Sequence, residues 1–240
     1  MFQRFRERSR ELEHLDLGDY TETEYEGCLV ELRRINRFFG DASALRKSLF
    51  PEIERANLKE FSALDVGAGS GELLRVIARW ARDGKRTAHL TALELNNRSA
   101  QAVIEESRSF PEITAVRADA LRLPFATDSF DYVICSLFTH HLAEEEIVTS
   151  LGEVRRVARR RIFIIDLHRH PLAYYFYTTV GQIFLHNRLT REDGALSILR
   201  GFKPEELNAL AAKAELAEAR VERRFPFRLV LSGSGAGSKK

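Results

Sequence analysis

Three glycines within five positions form the part of this sequence whose spacing points most directly to chemistry. They are Gly67, Gly69 and Gly71 in LDVGAGSGELL (64–74), which begins with an apolar run that ends in an aspartate. Glycine adopts the positive φ angles of tight turns and lets a ligand approach the backbone closely. Three glycines lose much backbone entropy on folding, and a plain turn has no contact that would offset this loss. The spacing therefore indicates a binding loop.

Phosphate binding fits this loop poorly. The dinucleotide fingerprint G-x-G-x-x-G has its third glycine where this chain has Glu72, whose charge would repel a pyrophosphate at a helix N-terminus. No GK[ST] follows, which argues against the loop of nucleoside triphosphatases. S-adenosylmethionine carries an ammonium, a sulfonium and a ribose but no phosphate. The negative charge of Glu72 would therefore not repel it. The loop therefore favours that ligand.

An acidic residue ends each of three successive predicted strands. Asp65 suits the ammonium of the cofactor, and Glu94 in LTALELN can accept two hydrogen bonds from ribose hydroxyls. Asp119 in VRADALRLPF can accept one from the adenine amino group, while the backbone of Ala120 meets the ring. Each acid alone also has the ordinary interpretation of an exposed strand-end residue, and Glu94 is compatible with a nicotinamide cofactor. Together the three acids favour S-adenosylmethionine.

Histidines follow the fourth and fifth predicted strands. His140 and His141 in SLFTHHL fall near the expected methyl position, where an imidazole can take a phenolic proton. We favour His140 as the general base, because His141 adjoins the next apolar pattern; the alternative is that one or both histidines only cap the following helix or pack in the loop. Asp166 and His168 in IDLHRH are predicted to line the acceptor pocket or to orient the other histidines. No carboxylate-rich cluster accompanies them, so no metal is predicted.

The elements that must position these residues alternate between strand and helix. The predicted strands are 61–66, 87–95, 113–119, 131–138 and 161–167, and the predicted helices between and after them include 71–82, 97–110, 144–160 and 203–216. This alternation predicts a parallel sheet covered on both faces, with ligands at the carboxyl ends of the strands. We expect an α/β fold with a Rossmann-like, doubly wound, mostly parallel sheet of about seven strands.

The flanking segments are expected to cover the binding edge of this sheet. The predicted divisions are an N-terminal helical cap (1–50), a cofactor-binding domain (51–232) with a helical lid inserted after the fifth strand (171–200), and a disordered tail (233–240). The lid contains YYFYTTVGQIFL, which indicates a flat, apolar acceptor unless the segment is only core. Predicted substrate contacts are Phe38 of the cap with Tyr174 and Tyr177 of the lid, and the loop 186–194 is expected to close the site.

The bulk composition argues against several classes of protein. The 37 basic and 35 acidic residues leave a net charge of +2, which argues against nucleic acid as a partner. No apolar stretch reaches the ~20 residues of a membrane span. Cys28 and Cys135 lie far apart and suggest no disulfide framework, so a cytoplasmic location is expected. The oligomeric state stays open between a monomer and a dimer.

Four segments together resemble, in order and spacing, the motifs of class I S-adenosylmethionine-dependent methyltransferases: LDVGAGSG, ALELN, RADALRLPF and FDYVICSLFTHHL. The resemblance covers roughly residues 60–167 and is nearest to the small-molecule branch, similar to the ubiquinone/menaquinone type. The flanks resemble bacterial methyltransferases for phenolic or polyketide-like products. The resemblance implies S-adenosylmethionine as cofactor, with contacts from Asp65, Gly67, Gly69, Glu94, Asp119 and Ser136, to which the neighbouring Ala68 and Leu95 are added.

The resemblance implies an enzyme that transfers a methyl group to a small, largely apolar acceptor by in-line displacement. The favoured acceptor atom is the oxygen of a phenol or hydroxylated aromatic compound, as in secondary-metabolite biosynthesis. Carbon or nitrogen methylation of a similar acceptor stays open, as does a non-catalytic cofactor-binding protein. Methylation of RNA or protein is disfavoured; nucleobase amino-methylating enzymes place [DNS]-PP-[YF] where this chain has SLFT (136–139).

Overall fold

A seven-stranded sheet forms the centre of this computed structural model, which describes residues 3–38 and 40–239, with the backbone alone for Leu29, residues 32–38, Gln182 and Lys239. The strands are β1 (Glu60–Val66), β2 (Thr87–Glu94), β3 (Ile113–Arg117), β4 (Phe130–Ser136), β5 (Ala158–Leu167), β6 (Arg220–Arg224) and β7 (Arg228–Ser234). Their order is β3-β2-β1-β4-β5-β7-β6. β7 runs antiparallel to both neighbours, and the other pairs are parallel. The predicted Rossmann-like fold is confirmed.

Helices cover the sheet on both faces and at one edge. They are α1 (His14–Leu17), α2 (Glu22–Phe38), α3 (Asp41–Arg55), α4 (Glu72–Asp83), α5 (Asn97–Glu106), α6 (Glu144–Val157), α7 (Pro171–Phe176), α8 (Gln182–Phe184), α9 (Arg188–Arg200) and α10 (Pro204–Lys213). Three 3₁₀ turns lie at Gln3–Phe5, Thr139–His141 and Ala236–Lys239, and a π-helical turn at Tyr177–Gly181 joins α7 to α8. None of the described helices is both long and apolar enough to cross a membrane.

Amphipathic helices bury the two faces of the sheet. On one face, Leu74, Ile77 and Ala81 of α4 repeat at helical spacing and pack with α3 in one apolar cluster. On the other face, Leu151 of α6 and Leu207 of α10 join a second cluster against β4 and β5. β4 lies between both layers, so all of its residues but the last are buried, as the near-continuous apolar run predicts.

The parallel register brings the carboxyl ends of the central strands to one edge. Val66 at the end of β1 pairs with Leu93 of β2 on one side and with Cys135 of β4 on the other. β2 and β3 lie on one side of β1, and β4 and β5 lie on the other, so the strand order reverses at β1. Doubly wound sheets bind ligands at this switch point. The glycine loop that follows β1 therefore lies at the centre of this edge.

Two peripheral segments meet above that edge. α9 contacts α1, α2 and α7, so the N-terminal region and the segment after β5 form a joint cover. The loop expected at 186–194 is mostly helical instead, because the Asn187 side chain accepts hydrogen bonds from the backbone N–H groups of Leu189 and Thr190 and starts α9 at Arg188.

The C-terminal segment differs from the predicted disordered tail. β7 continues to Ser234, with Gly233 opposite Ile162 of β5, and the N–H of Gly235 donates to the carbonyl of Arg160 at 2.8 Å. A Cβ at Gly233 would overlap the Leu216 side chain. The small residues that suggested disorder are here the residues that fit between packed elements.

Candidate active site

The glycine loop adopts a backbone that ordinary residues avoid. Gly67, Gly69 and Gly71 all have positive φ angles, of 71°, 58° and 78°. A Cβ on Gly67 would lie 2.8 Å from the ring of Phe138, whereas one on Gly69 would meet nothing within 4 Å. The loop is therefore packed at Gly67 and open at Gly69, as a loop that receives a ligand must be.

A cavity of about 480 Å³ lies beside this loop, at the carboxyl ends of the central strands. Its wall combines the loop, the ends of β4 and β5, the N-terminal region and α9. It brings together more than half of the residues predicted for the site: Asp65, Gly67, Ala68, Gly69, Ser136, His140, His141, His168 and Tyr177.

Asp65 presents a buried carboxyl group to this cavity. Its side chain is 1% exposed, and within the described residues its Oδ1 atom has no hydrogen-bond partner. Burial, with a further contribution from the charge of Glu94, raises the pKa of Asp65 to about 8. A buried carboxylate without a partner is costly, so this atom is matched to a ligand that brings a cation or a hydrogen-bond donor.

Glu94 lies directly behind the open glycine. Its carboxylate accepts a short hydrogen bond from the backbone N–H of Gly69. Burial raises the pKa of Glu94 to about 7, although the N–H groups of Gly69, Leu95 and Asn96 act against that shift. Glu94 does not belong to the cavity wall itself, but it is tied to the loop residue that does.

Three further residues of the predicted cofactor site lie outside the cavity wall. Leu95 is 65% exposed, and Ala120 is buried in the second apolar cluster. The Asp119 side chain is exposed and accepts a hydrogen bond from the N–H of Leu121 at 2.8 Å, so it stabilises the turn after β3. A contact of these residues with the cofactor stays a prediction.

A buried aspartate–histidine pair lies beside the cavity and contributes His140 to its wall. The Nδ1 atom of His140 is 2.7 Å from Oδ1 of Asp166, and the backbone N–H of His140 donates to Oδ2 at 3.1 Å. Asp166 is fully buried; burial alone would raise its pKa, but the charge and hydrogen bond of His140 and the N–H of Leu167 lower it overall. When the imidazole is neutral, the ionised carboxylate favours the tautomer with the proton on Nδ1 and the lone pair on Nε2.

Glu13 joins this pair from the N-terminal region, and sequence reasoning missed it. Its buried carboxyl group lies 3.9 Å from Nε2 of His140 and 3.8 Å from Nδ1 of His141, and it accepts a hydrogen bond from Ser197 at 2.8 Å. Burial raises the pKa of Glu13 to about 7. Glu13, His140 and His141 also lie close enough to hold a metal ion, and the absence of a metal stays a prediction. Nothing in the charged stretch RERSRELEHLD marks Glu13 as different from its neighbours.

Some residues predicted to contact the acceptor line the cavity, and others lie outside it. His168 lines the cavity, and burial with the nearby charge of His170 lowers its pKa to about 4, so it is neutral at physiological pH. Tyr177 also lines it, with its hydroxyl donating to the carbonyl of Thr190. Tyr174 lies outside and accepts a hydrogen bond from Arg4. The side chain of Phe38 lies outside the described residues.

The cover over the site also contributes residues that no sequence motif indicates. Asp193 of α9 lines the cavity, and its carboxylate accepts hydrogen bonds from the backbone N–H groups of His14 and Leu15. Asp41 and Arg228 form a buried ion pair at another part of the wall. These side chains come from segments more than 170 residues apart, which only the fold brings together.

Comparison with known sequences finds relatives of this chain. Residues 63–161 match a family model described as a methyltransferase domain. A demethylmenaquinone methyltransferase of Roseiflexus sp. (strain RS-1) is 29% identical over 122 residues, which are 48% of each protein. A ubiquinone biosynthesis O-methyltransferase of Pseudomonas syringae pv. tomato is 28% identical over 166 residues, covering 68% of this chain and 67% of that protein. The chain thus spans about half the length of the first relative.

Comparison with solved structures finds the same fold. The magnesium protoporphyrin IX methyltransferase of Synechocystis PCC 6803 with bound SAH superimposes with a TM-score of 0.57 and 16% identity, over 82% of this chain and 84% of that chain. Human N-acetylserotonin methyltransferase in complex with SAM gives a TM-score of 0.60 at 12% identity, over 88% of this chain and 56% of that chain. At these identities the likeness concerns the fold alone.

Proposed function

Because this chain belongs to the class I S-adenosylmethionine-dependent methyltransferases of the small-molecule type, we propose that it methylates an oxygen of a phenol or hydroxylated aromatic compound, with His140 as the general base. The observation that carries the proposal is the buried Asp166–His140 pair, of which His140 lines the cavity beside the glycine loop. The free and buried Cys28 and Cys135 support a cytoplasmic location.

S-adenosylmethionine is the cofactor, and the residues present fit it. Within the described residues Oδ1 of Asp65 has no hydrogen-bond partner, which suits the ammonium of the cofactor, and the open position at Gly69 lets the cofactor approach the backbone. Glu94, which accepts a hydrogen bond from the N–H of Gly69, is the residue we propose as acceptor for the ribose hydroxyls. When bound, the cofactor supplies a methyl group on a positively charged sulfur, which leaves as a neutral thioether. The chain itself has to orient the acceptor and remove its proton.

The proton path follows from the orientation of His140. With the Nδ1 proton held by Asp166, the Nε2 lone pair takes the proton of the acceptor hydroxyl as the new oxygen–carbon bond forms and the sulfur–carbon bond breaks. The resulting imidazolium is stabilised by the buried Asp166 carboxylate, 2.7 Å from its other nitrogen. Asp166 therefore acts as a positioning residue, and His140 is the group that contacts the acceptor.

The rest of the acceptor is expected to lie against the apolar part of the cavity. Leu15, Ala173, Leu189 and Ile198 line it together with the ring of Tyr177. Such a wall suits a flat, largely apolar molecule with few polar groups. Carbon methylation of an activated aromatic ring would use the same cavity and the same base, and it is the variant to distinguish by the position of the product's methyl group.

Two substitutions separate cofactor binding from proton removal. We expect His140→Ala to lower turnover on a phenolic acceptor by roughly 10²- to 10⁴-fold with the cofactor Kd unchanged.

We expect Glu94→Ala to weaken binding of the cofactor or its demethylated product by roughly tenfold or more, because two charge-assisted hydrogen bonds are lost. Isothermal titration calorimetry and methyl transfer from labelled cofactor to a panel of phenols measure both, with His186→Gln, an exposed histidine, as the matched control.

Each outcome decides a different part of the proposal. Unchanged turnover in His140→Ala would remove His140 as the base. Label that moves to RNA or protein but to no phenol would overturn the acceptor class. Cofactor binding without transfer to any compound in the panel would favour a binding protein over an enzyme.

A further inference from the structure

An exposed apolar stripe runs along the segment after β5. We call it the lid stripe; it consists of Leu172, Phe176, Val180, Ile183 and Phe184, which are between 38% and 71% exposed. The first three are spaced four residues apart through α7 and the π-helical turn, so they share one side of the segment. Five large apolar side chains on one short surface segment cost free energy in water unless something covers them.

The lid stripe adjoins the opening of the cavity. Phe176 is both half-exposed and part of the cavity wall, and Ala173 and Tyr177 beside it also line the cavity. The side chains of Ile183 and Phe184 continue the stripe away from the site and do not line the cavity. The apolar surface is thus continuous from solvent to the acceptor side of the site.

A basic segment flanks the lid stripe. We call residues 3–10 the basic arm; its sequence QRFRERSR contains four arginines and one glutamate. Phe5 anchors the arm, with its ring edge-on to those of Tyr174 and Tyr175 in α7. Arg4 lies over the Tyr174 ring at 4.7 Å and is exposed, as are Arg6 and Arg10. The arm therefore presents positive charge next to the apolar stripe.

We propose that the lid stripe and the basic arm dock this protein on an anionic lipid surface. An apolar helical face that enters the acyl boundary, beside arginines and tyrosines at headgroup level, is the arrangement of interfacial helices. Stable binding to a membrane surface takes two such signals, and here both are present. A second copy of the chain is the less suitable occupant, because a stable protein interface needs about 20–30 residues a side and the stripe offers far fewer.

Docking at this face would place the cavity opening at the lipid boundary. A largely apolar acceptor could then pass from the lipid along Phe176 into the cavity without crossing water. This consequence rests on the proposed function, whereas the docking itself does not.

Vesicle co-sedimentation of the full chain tests the proposal. The probes are phosphatidylcholine vesicles with and without phosphatidylglycerol. We expect binding to the anionic vesicles, and a loss of about tenfold or more in partitioning for the double variant Ile183→Ser/Phe184→Ser, because two large apolar side chains no longer enter the lipid. Ile104→Ser on α5 is the matched control, since Ile104 is 60% exposed but lies on a different part of the surface.

Two further measurements separate lipid docking from self-association and from a loss of catalysis. Arg4→Gln/Arg6→Gln should reduce binding to anionic vesicles only, and added salt should reduce it likewise. Methyl transfer to a water-soluble phenol without vesicles should be unchanged in Ile183→Ser/Phe184→Ser, which separates failure of docking from failure of the proposed function. Wild-type protein that binds neither vesicle would overturn the proposal. So would a dimer in light scattering that the double variant abolishes.

Discussion

At the scale of single residues, the protonation of Asp65 links this protein to the charge of its cofactor. The pKa of Asp65 is raised to about 8 by burial and by Glu94, so the free protein holds a proton there at neutral pH. The folded state binds that proton more tightly than the unfolded chain does. This contribution to stability is therefore full only below the ordinary pKa of 3.8, falls as pH rises above that value, and is gone above about pH 8. A cationic ligand beside Asp65 reverses the preference, because it favours the carboxylate.

Proton release on cofactor binding checks this interpretation. At pH 7 we expect binding to release a large part of one proton from Asp65, with a further fraction from Glu94, and affinity to rise from pH 6 towards pH 8. Titration calorimetry in buffers of different ionisation enthalpy measures the protons released. Asp65→Asn should remove the larger part, whereas the exposed Asp83→Asn should not. Equal heats in all buffers for the wild type would contradict the expectation.

The pairing of Asp166 with His140 is the second feature at this scale. We expect Asp166→Asn to lower turnover by roughly 10²- to 10⁴-fold while the cofactor Kd stays the same, because the amide no longer holds the proton on Nδ1. A merely structural role would not change the pH profile. Here activity should recover towards pH ~10, where the phenolic acceptor ionises by itself and needs no base. A pH–rate profile parallel to that of the wild type would count against the positioning role.

At the scale of elements, two glycines of the loop between β1 and α4 have different roles, one in folding and one in binding. Both Gly67 and Gly69 have positive φ, but only Gly67 faces a packed neighbour, the Phe138 ring. The same substitution at the two positions therefore has different consequences.

Alanine substitutions at both positions test this division. Gly69→Ala should lower the free energy of unfolding by about 1–2 kcal/mol, the cost of a side chain at positive φ, and should weaken cofactor binding. Gly67→Ala should lower it clearly more, because its Cβ also overlaps the ring of Phe138. Urea unfolding and calorimetry measure the two effects. Equal losses of stability would show that the contact with Phe138 does not constrain the loop.

At the scale of the whole molecule, the N-terminal region completes the site. Glu13 reaches His140, and the side chain of Arg200 in α9 donates to the carbonyl groups of both His140 and Glu11. The buried pair of Asp41 and Arg228, which lines the same cavity, joins the start of α3 to the start of β7. We propose that residues 1–50 form a cap that folds together with the sheet domain.

Removal of one partner of the buried pair tests that coupling. Asp41→Asn leaves the Arg228 guanidinium buried without a counter-charge, so we expect the free energy of unfolding to fall by about 3–5 kcal/mol in a single transition. Glu52→Gln, in the exposed pair with Arg55, should cost under about 1 kcal/mol. The double variant Asp41→Leu/Arg228→Met should recover most of the loss. A separate early transition for the cap would contradict cooperative folding.

The sequence by itself determined the sheet, the glycine loop and the class of cofactor. Strand and helix periodicity are local properties, and polar residues at the ends of parallel strands must meet at one edge. Asp65, Gly69, Ser136 and His140 therefore come together as expected. The loop geometry follows from glycine's freedom at positive φ, which is also local.

Only the tertiary structure decided what faces these residues. Glu13 and Asp193 reach the cavity through contacts between segments far apart in sequence. For Asp166 the sequence left two positions open, in the pocket or against the other histidines, and the structure pairs it with His140. The structure of the tail likewise depends on the pairing of β7 with β5: Gly233 by itself suggested disorder, but it lies where the Leu216 side chain packs against the strand. Periodicity reports which face of an element is buried, but not which distant side chain covers it, because that depends on how the elements pack.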